Sequence, residues 1–150
     1  MQPGEETQVY ELIARVFYAF VAPDTSPEGV QEFLNYVQPE PLLERSRVNH
    51  FVLVAVAQDW IVGVIEVRGY QHVSLLFMDQ AYQGQGIARE LWRRALRICR
   101  QEKPDLAEVS VNSSPYAVPI YEKLGFRPQG LEQTAHGIRF VPMAFDLVSS

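Results

Sequence analysis

Between Val9 and Phe20 the apolar residues fall at 9, 12, 13, 16, 17 and 20, the spacing of one helix face, and predict an amphipathic helix. Pro23, Asp24 and Pro27 break that pattern. Ser26-Pro27-Glu28-Gly29 then predicts an N-cap followed by proline in the first turn, opening a second helix through about Tyr36. Pro39 and Pro41 bound another short segment. The period then changes. Phe51–Ala57 and Ile61–Arg68 are rich in β-branched and apolar residues, and Gln58-Asp59-Trp60 between them has the length of a hairpin turn. Gly69-Tyr70-Gln71 makes a second break before His72–Met78, so these short connections predict a three-stranded antiparallel meander.

From Gly86 to about Gln101 the pattern is helical again, with Ile87, Ala88, Leu91, Trp92, Ala95 and Cys99 on one side. Lys103-Pro104-Asp105 stops it. Ala107–Asn112 reads as a strand, Pro115–Leu124 as a short helix ended by Gly125, and Arg139–Leu147 as a final strand. Pro119, inside that short helix, is expected to cost a backbone hydrogen bond and distort it. Hairpins first and a βαβ unit afterwards predict an α/β (α+β) fold with a mixed, mostly antiparallel sheet and helices on both faces. No repeat or long linker interrupts the 150 residues, so a single domain over 1–150 is expected.

Composition narrows the classes of function. The chain is 47% hydrophobic and 21% charged, the balance of a folded globular protein. Its net charge of −5 speaks against nucleic acid as a partner, since phosphate backbones demand concentrated Lys and Arg. Arg89, Arg93, Arg94, Arg97 and Arg100 do cluster, either as a solvated helix face or as a small positive field beside a phosphate-bearing ligand. The longest apolar run, Phe51–Ala57, is too short to cross a bilayer, and the acidic start lacks the features of a signal peptide. One cysteine, Cys99, excludes an internal disulfide and makes a reducing cytoplasm the expected compartment. His50, His72 and His136 lack metal-ligand spacing, so no metal site is expected.

The most informative stretch is Phe77-Met78-Asp79-Gln80-Ala81-Tyr82-Gln83-Gly84-Gln85-Gly86-Ile87-Ala88. It leaves a strand, crosses a loop with two glycines and enters an amphipathic helix. Glycines let the backbone curl around a ligand, and the unpaired N–H groups of the first helical turn favour an anion such as pyrophosphate. Arg89 stands where a dinucleotide fingerprint needs its third small residue, and no Gly-Lys-Ser or Gly-Lys-Thr is present, which excludes the P-loop.

Gln83-Gly84-Gln85-Gly86-Ile87-Ala88 resembles the Gln/Arg-x-x-Gly-x-Gly/Ala motif of the GNAT superfamily of N-acetyltransferases. Farther on, Asn112-Ser113-Ser114-Pro115-Tyr116 through Tyr121-Glu122-Lys123-Leu124-Gly125-Phe126 resembles that family's second signature. Ser114 departs from it at a position that is often Asn, and with Pro115 after it reads as an N-cap for the short helix. The resemblance covers residues 50–147 well and the N-terminal helices loosely. It implies acetyl-CoA as co-substrate, held in a wedge where two parallel strands, His72–Met78 and Ala107–Asn112, splay apart. By the same resemblance, Gln83, Gly84, Gln85, Gly86, Ile87, Ala88 and Arg89 hold the pyrophosphate. Leu76, Phe77 and Met78 pair with the pantetheine arm, and Asn112 borders it. A backbone N–H near Leu76–Met78 stabilises the oxyanion of a tetrahedral intermediate.

The resemblance makes Tyr121 the acid that protonates the departing thiolate; without it, a core aromatic on a short helix is the reading. An attacking amine must also lose a proton, because alkylammonium groups have a pKa of about 10.4. His72 at the start of its strand is one candidate base, with a solvent-facing histidine as the plain alternative. Glu66, acting through water, is a second, and a water chain alone is a third. Trp60, Trp92, Phe17 and Phe33 read as packing residues, and Tyr116 as structural or pocket-lining. Residues 20–45 lie where the family builds its acceptor pocket. The expected function is transfer of an acetyl group to an amine, small-molecule or peptide, by direct attack. The alternative is an acyl-CoA-binding regulatory module without turnover. The family also allows a homodimer through the final strands.

Overall fold

The computed structural model describes residues 1–148. Three helices open the chain: α1 (Glu6–Phe20), α2 (Pro27–Tyr36) and α3 (Pro39–Ser46). The Ser26 hydroxyl caps α2 by accepting from the Gly29 N–H at 3.1 Å, and Pro27 occupies the first turn as the sequence suggests. The segment bounded by Pro39 is helix α3.

Strands β1 (His50–Ala57), β2 (Trp60–Arg68) and β3 (His72–Met78) form the expected antiparallel meander. The β1–β2 turn is tighter than the sequence suggests. Only Gln58 and Asp59 lie outside the strands, at φ of 52° and 68°, the left-handed geometry of a two-residue hairpin. Trp60 therefore begins β2 and is 70% exposed, whereas Trp92 is buried between Phe126 and Phe145.

After a 3-10 turn at Gln80–Tyr82 come α4 (Ile87–Glu102), β4 (Glu108–Ser113), α5 (Val118–Leu124), β5 (Arg127–Pro128), β6 (Gln133–Ala135) and β7 (Ile138–Asp146). The sheet order is β1-β2-β3-β4-β7-β5, with β6 paired to β7; every pairing is antiparallel except β3 with β4. Strands β5 and β6 have two and three residues, too short to leave a periodic signal.

The pleat divides the core in two. Ile65, Val67, Val73, Val109 and Val111 face α4 and α5, while Val52, Val64 and Leu75 face α1, α2 and α3. Helices thus cover both faces of a mostly antiparallel sheet. Leu91, Trp92, Ala95 and Cys99 form the buried stripe of α4; Arg93, Arg94, Arg97 and Arg100 are solvated, and Glu90 pairs with Arg93 and Arg94. Burial pushes the Cys99 thiol up to about 11, the behaviour of a packing residue.

Pro119 does not distort α5. The helix begins at Val118, so Pro119 sits in the first turn, where its missing N–H is no loss. The residues from Ser114 to Ala117 form a separate turn, closed by the Ala117 N–H on the Ser114 carbonyl at 3.0 Å and hydroxyl at 3.2 Å.

Candidate active site

The site begins at the single parallel pairing of the sheet among the described residues. Strands β3 and β4 match only at His72–Ser110 and Val73–Val111, and beyond these positions the ladder ends. A bulge marks the same place on the other edge of β3. Glu66 pairs with Leu75 and Val67 with Val73, leaving Ser74 without a partner in β2. A bulge bends its strand and raises its twist, and here it carries Leu75–Met78 away from β4.

The gap holds a cavity of about 170 Å³, lined on one side by Leu75–Met78 and on the other by Val111–Ser114. Tyr121 reaches it from α5, Phe17 and Phe33 from α1 and α2, and Ile138–Phe140 from β7. The cavity therefore passes through the sheet, from the α4–α5 face to the α1–α2 face. At its α4 end it adjoins a groove of about 530 Å³ bordered by Gly84, Gly86, Ile87, Ala88, Arg89 and Lys123. Met78, Gln83, Tyr116 and Ile120 border both.

The loop at the head of α4 suits an anion. Gly86 is the N-cap at φ 82°, no side chain caps the helix, and a Cβ on Gly84 or Gly86 would point into open space. The first hydrogen bond of the helix runs from the Glu90 N–H to the Gly86 carbonyl at 3.0 Å, so the Ile87, Ala88 and Arg89 N–H groups have no helical partner. With the exposed guanidinium of Arg89 and the Lys123 ammonium on the same groove, these donors fit the phosphates of coenzyme A. Gln85 is exposed and donates to the Ala81 carbonyl at 3.4 Å, holding the loop rather than lining the groove. Gln83 donates to the Met78 carbonyl at 3.3 Å and accepts from the Tyr116 hydroxyl at 3.2 Å.

Tyr121 is 5% exposed, packs edge-to-face on Phe126 at 5.3 Å and lines the cavity. Its hydroxyl has no hydrogen bond among the described residues, yet no fully buried side-chain polar atom there lacks a partner, so the oxygen meets the cavity itself. Burial pushes the phenol above its ordinary pKa and keeps it a proton donor. Asn112, Leu76, Phe77 and Met78 border the same space.

The two candidate bases stand elsewhere. His72 lies at the closed end of the β3–β4 pair, in a different depression with Arg68, Gln71 and Glu108, and its Nδ1 is 2.8 Å from the Ser110 hydroxyl. Burial, reinforced by Arg68, lowers its pKa to about 4, so it is a weak base outside the cleft. Glu66 is fully buried on β2 and does not reach the cavity. Its carboxylate accepts from Arg45 at 3.0 and 3.2 Å, from Tyr36 at 3.1 Å and from Ser74 at 2.8 Å. Four donors leave no room for proton transfer to an acceptor; the group braces the Ser74 bulge against α2 and α3.

Several lining residues escaped sequence reasoning. Phe17, stacked on Phe33 at 4.2 Å, reads as a core position because a pocket wall and a core share one helical period, whereas Phe33 lies in the 20–45 segment already matched to the family's acceptor pocket. Ile138–Phe140 reach the cavity only because the β6–β7 turn folds onto α2, where the Ser26 hydroxyl donates to the Gly137 carbonyl at 3.1 Å. Among the described residues, no helix is long and apolar enough to cross a membrane, and no cluster of three or more His, Cys, Asp or Glu side chains forms a metal-binding group.

Comparison with known proteins agrees with this fold. No curated protein sequence matches the chain. Among solved structures, a GCN5-related N-acetyltransferase from Rhodopseudomonas palustris superposes with TM-score 0.81 at 16% identity, covering 98% of this chain and 92% of that one. PaiA N-acetyltransferase from Thermoplasma acidophilum, solved with coenzyme A, gives 0.80 at 18% identity over 97% and 95%. YjaB from Escherichia coli gives 0.69 at 24% over 97% and 93%. Likenesses at these identities establish the fold. The family pattern described as "Acetyltransferase (GNAT) domain" matches residues 21–147, and the chain therefore belongs to the GNAT acetyltransferase family.

Proposed function

We propose that the protein is an acetyl-CoA-dependent N-acetyltransferase that moves an acetyl group onto an amine. The observation that carries this reading is the adjacency of the donor-lined groove at Gly84–Arg89 and the β3–β4 cavity bordered by Tyr121, which share Met78, Gln83, Tyr116 and Ile120 as walls. Bound across the two, acetyl-CoA supplies an activated acetyl thioester. The α4 N-terminus, Arg89 and Lys123 hold the phosphates. The free edge of β3 from Leu75 to Met78 offers backbone groups to the pantetheine amides and an N–H to the thioester carbonyl. Tyr121, held protonated by burial, donates to the departing sulfur.

The acceptor enters from the α1–α2 face and loses its proton to water, since among the described residues no carboxylate or histidine lines the cavity. Isothermal titration of acetyl-CoA against the native chain and Gly86→Glu tests the reading. Micromolar binding that the added carboxylate abolishes, together with thiol release in the presence of amines, supports it. Binding without turnover would favour a regulatory acyl-CoA sensor, and no binding at millimolar cofactor would overturn it.

A further inference from the structure

Resting on that reading, we infer that the acceptor is a monoamine carried on an aromatic body, rather than a polyamine or an aminosugar. The end of the cavity away from the phosphate groove is walled by rings. Phe17 and Phe33 stack at 4.2 Å, Phe77 lies 5.8 Å from Phe33, and Phe140 joins them from β7. Val16, Val21 and Ile138 fill the intervals.

Charge argues in the same direction. Among the described residues, Arg139 is the one charged residue on the cavity wall, and no Asp or Glu lines it. The carboxylates nearby are already engaged: Glu66, which accepts from the wall residue Ser74 at 2.8 Å, is held by Arg45 at 3.0 and 3.2 Å, and two more face Arg139. Glu132 holds the Arg139 guanidinium at 2.9 and 3.1 Å, and Asp24 lies within its field. A second or third ammonium on the acceptor would have to leave water for a wall of aromatic rings, the neutral Ser74, Asn112, Ser113 and Ser114 and one cation, with no carboxylate lining it among the described residues to form an ion pair. A single amine fares differently. Desolvation lowers its pKa and so supplies the neutral nucleophile in a cavity that has no base of its own. Its ring fits the aromatic wall, where offset and edge contacts add to the burial of apolar surface.

The test measures kcat/KM for phenethylamine, spermidine and kanamycin with acetyl-CoA, by release of free thiol, alongside acetyl-CoA affinity by titration. Phenethylamine is expected to exceed both polycations by about tenfold or more. Phe33→Ala should lower kcat/KM for phenethylamine by about tenfold, mostly through KM, and leave acetyl-CoA affinity unchanged. Phe33 stacks on a core residue, so a second variant guards against misfolding. Phe140→Asp adds the missing carboxylate and should shift the preference toward spermidine, with the melting temperature recorded beside it. Acetyl-CoA binding with spermidine or kanamycin preferred, or with another amine consumed and no aromatic one, would overturn the inference and leave the acetyltransferase reading standing. Absence of acetyl-CoA binding would overturn both.

Discussion

The Tyr116 hydroxyl donates to the side-chain oxygen of Gln83 at 3.2 Å, joining the turn before α5 to the loop before α4 across the mouth of the β3–β4 gap. Gln83 also donates to the Met78 carbonyl, and Tyr116 stacks on Phe20 at 4.8 Å, so one contact ties together β3, α1 and both motif loops. A neutral hydrogen bond of this kind is worth about 1 kcal/mol. Tyr116→Phe should weaken acetyl-CoA binding by roughly fivefold and leave the melting temperature nearly unchanged. Titration calorimetry beside differential scanning fluorimetry checks both halves.

Removing the Tyr121 hydroxyl should act on rate rather than binding. Tyr121→Phe is expected to lower kcat by roughly 10²–10⁴-fold at constant acetyl-CoA affinity. Because burial raises its pKa, the phenol stays protonated as pH rises through the neutral and mildly alkaline range. The rate should therefore show no alkaline loss from this group below its ordinary value of 10. A pH–rate profile of the native enzyme decides the point.

His72 should govern acid stability and not catalysis. Its folded-state pKa of about 4 lies below the model-peptide value of 6.5, so the unfolded chain takes up a proton first. The stabilisation is complete above 6.5 and is lost as pH falls through 4. A full shift of this size corresponds to about 3 kcal/mol, which water at the half-buried ring reduces to about 1–2. Urea midpoints between pH 7 and 4 should fall for the native chain and fall less for His72→Gln, whose kcat should stay within about twofold.

Glu66 should prove structural. Glu66→Ala strands the Arg45 guanidinium, which stacks 3.6 Å over the Tyr36 ring and donates to the Tyr36 carbonyl at 2.6 Å. Breaking one partner of a buried pair costs about 3–5 kcal/mol, readable in urea unfolding. A variant that keeps full stability but loses only kcat would return Glu66 to the role of a base.

Gly29 and Gly137 set how closely the β6–β7 turn, which leads into the cavity-lining Ile138–Phe140, packs on α2. A Cβ on Gly29 would lie 2.3 Å from the Gly137 carbonyl oxygen, too close for any side chain. Gly29→Ala should push the β6–β7 turn off α2, cost about 1–3 kcal/mol and raise KM for the amine more than it weakens acetyl-CoA binding. Parallel KM and affinity measurements separate the two effects.

The amino-acid sequence by itself determined what local forces decide. Period and breakers drew α1, α2, α4, the β1–β3 meander and β7, because each buries one face at a fixed repeat. The glycines at 84 and 86 between strand and helix marked the anion loop, since an uncapped α4 N-terminus is a local property of the chain. Tertiary structure decided the rest. Ser74 becomes a bulge only through its register with Glu66, and that register opens the gap. His72 falls outside the cleft because the parallel pairing closes at Ser110, a fact about two strands far apart in sequence. Glu66 is committed to Arg45, Tyr36 and Ser74 by the packing of α2 and α3 over β2. Phe33 and Phe140 become a cavity wall, with Phe17 bordering it from within the core, where the β3–β4 splay leaves a space between them. Periodicity tells which face of an element is covered; only assembly tells whether protein or a substrate covers it.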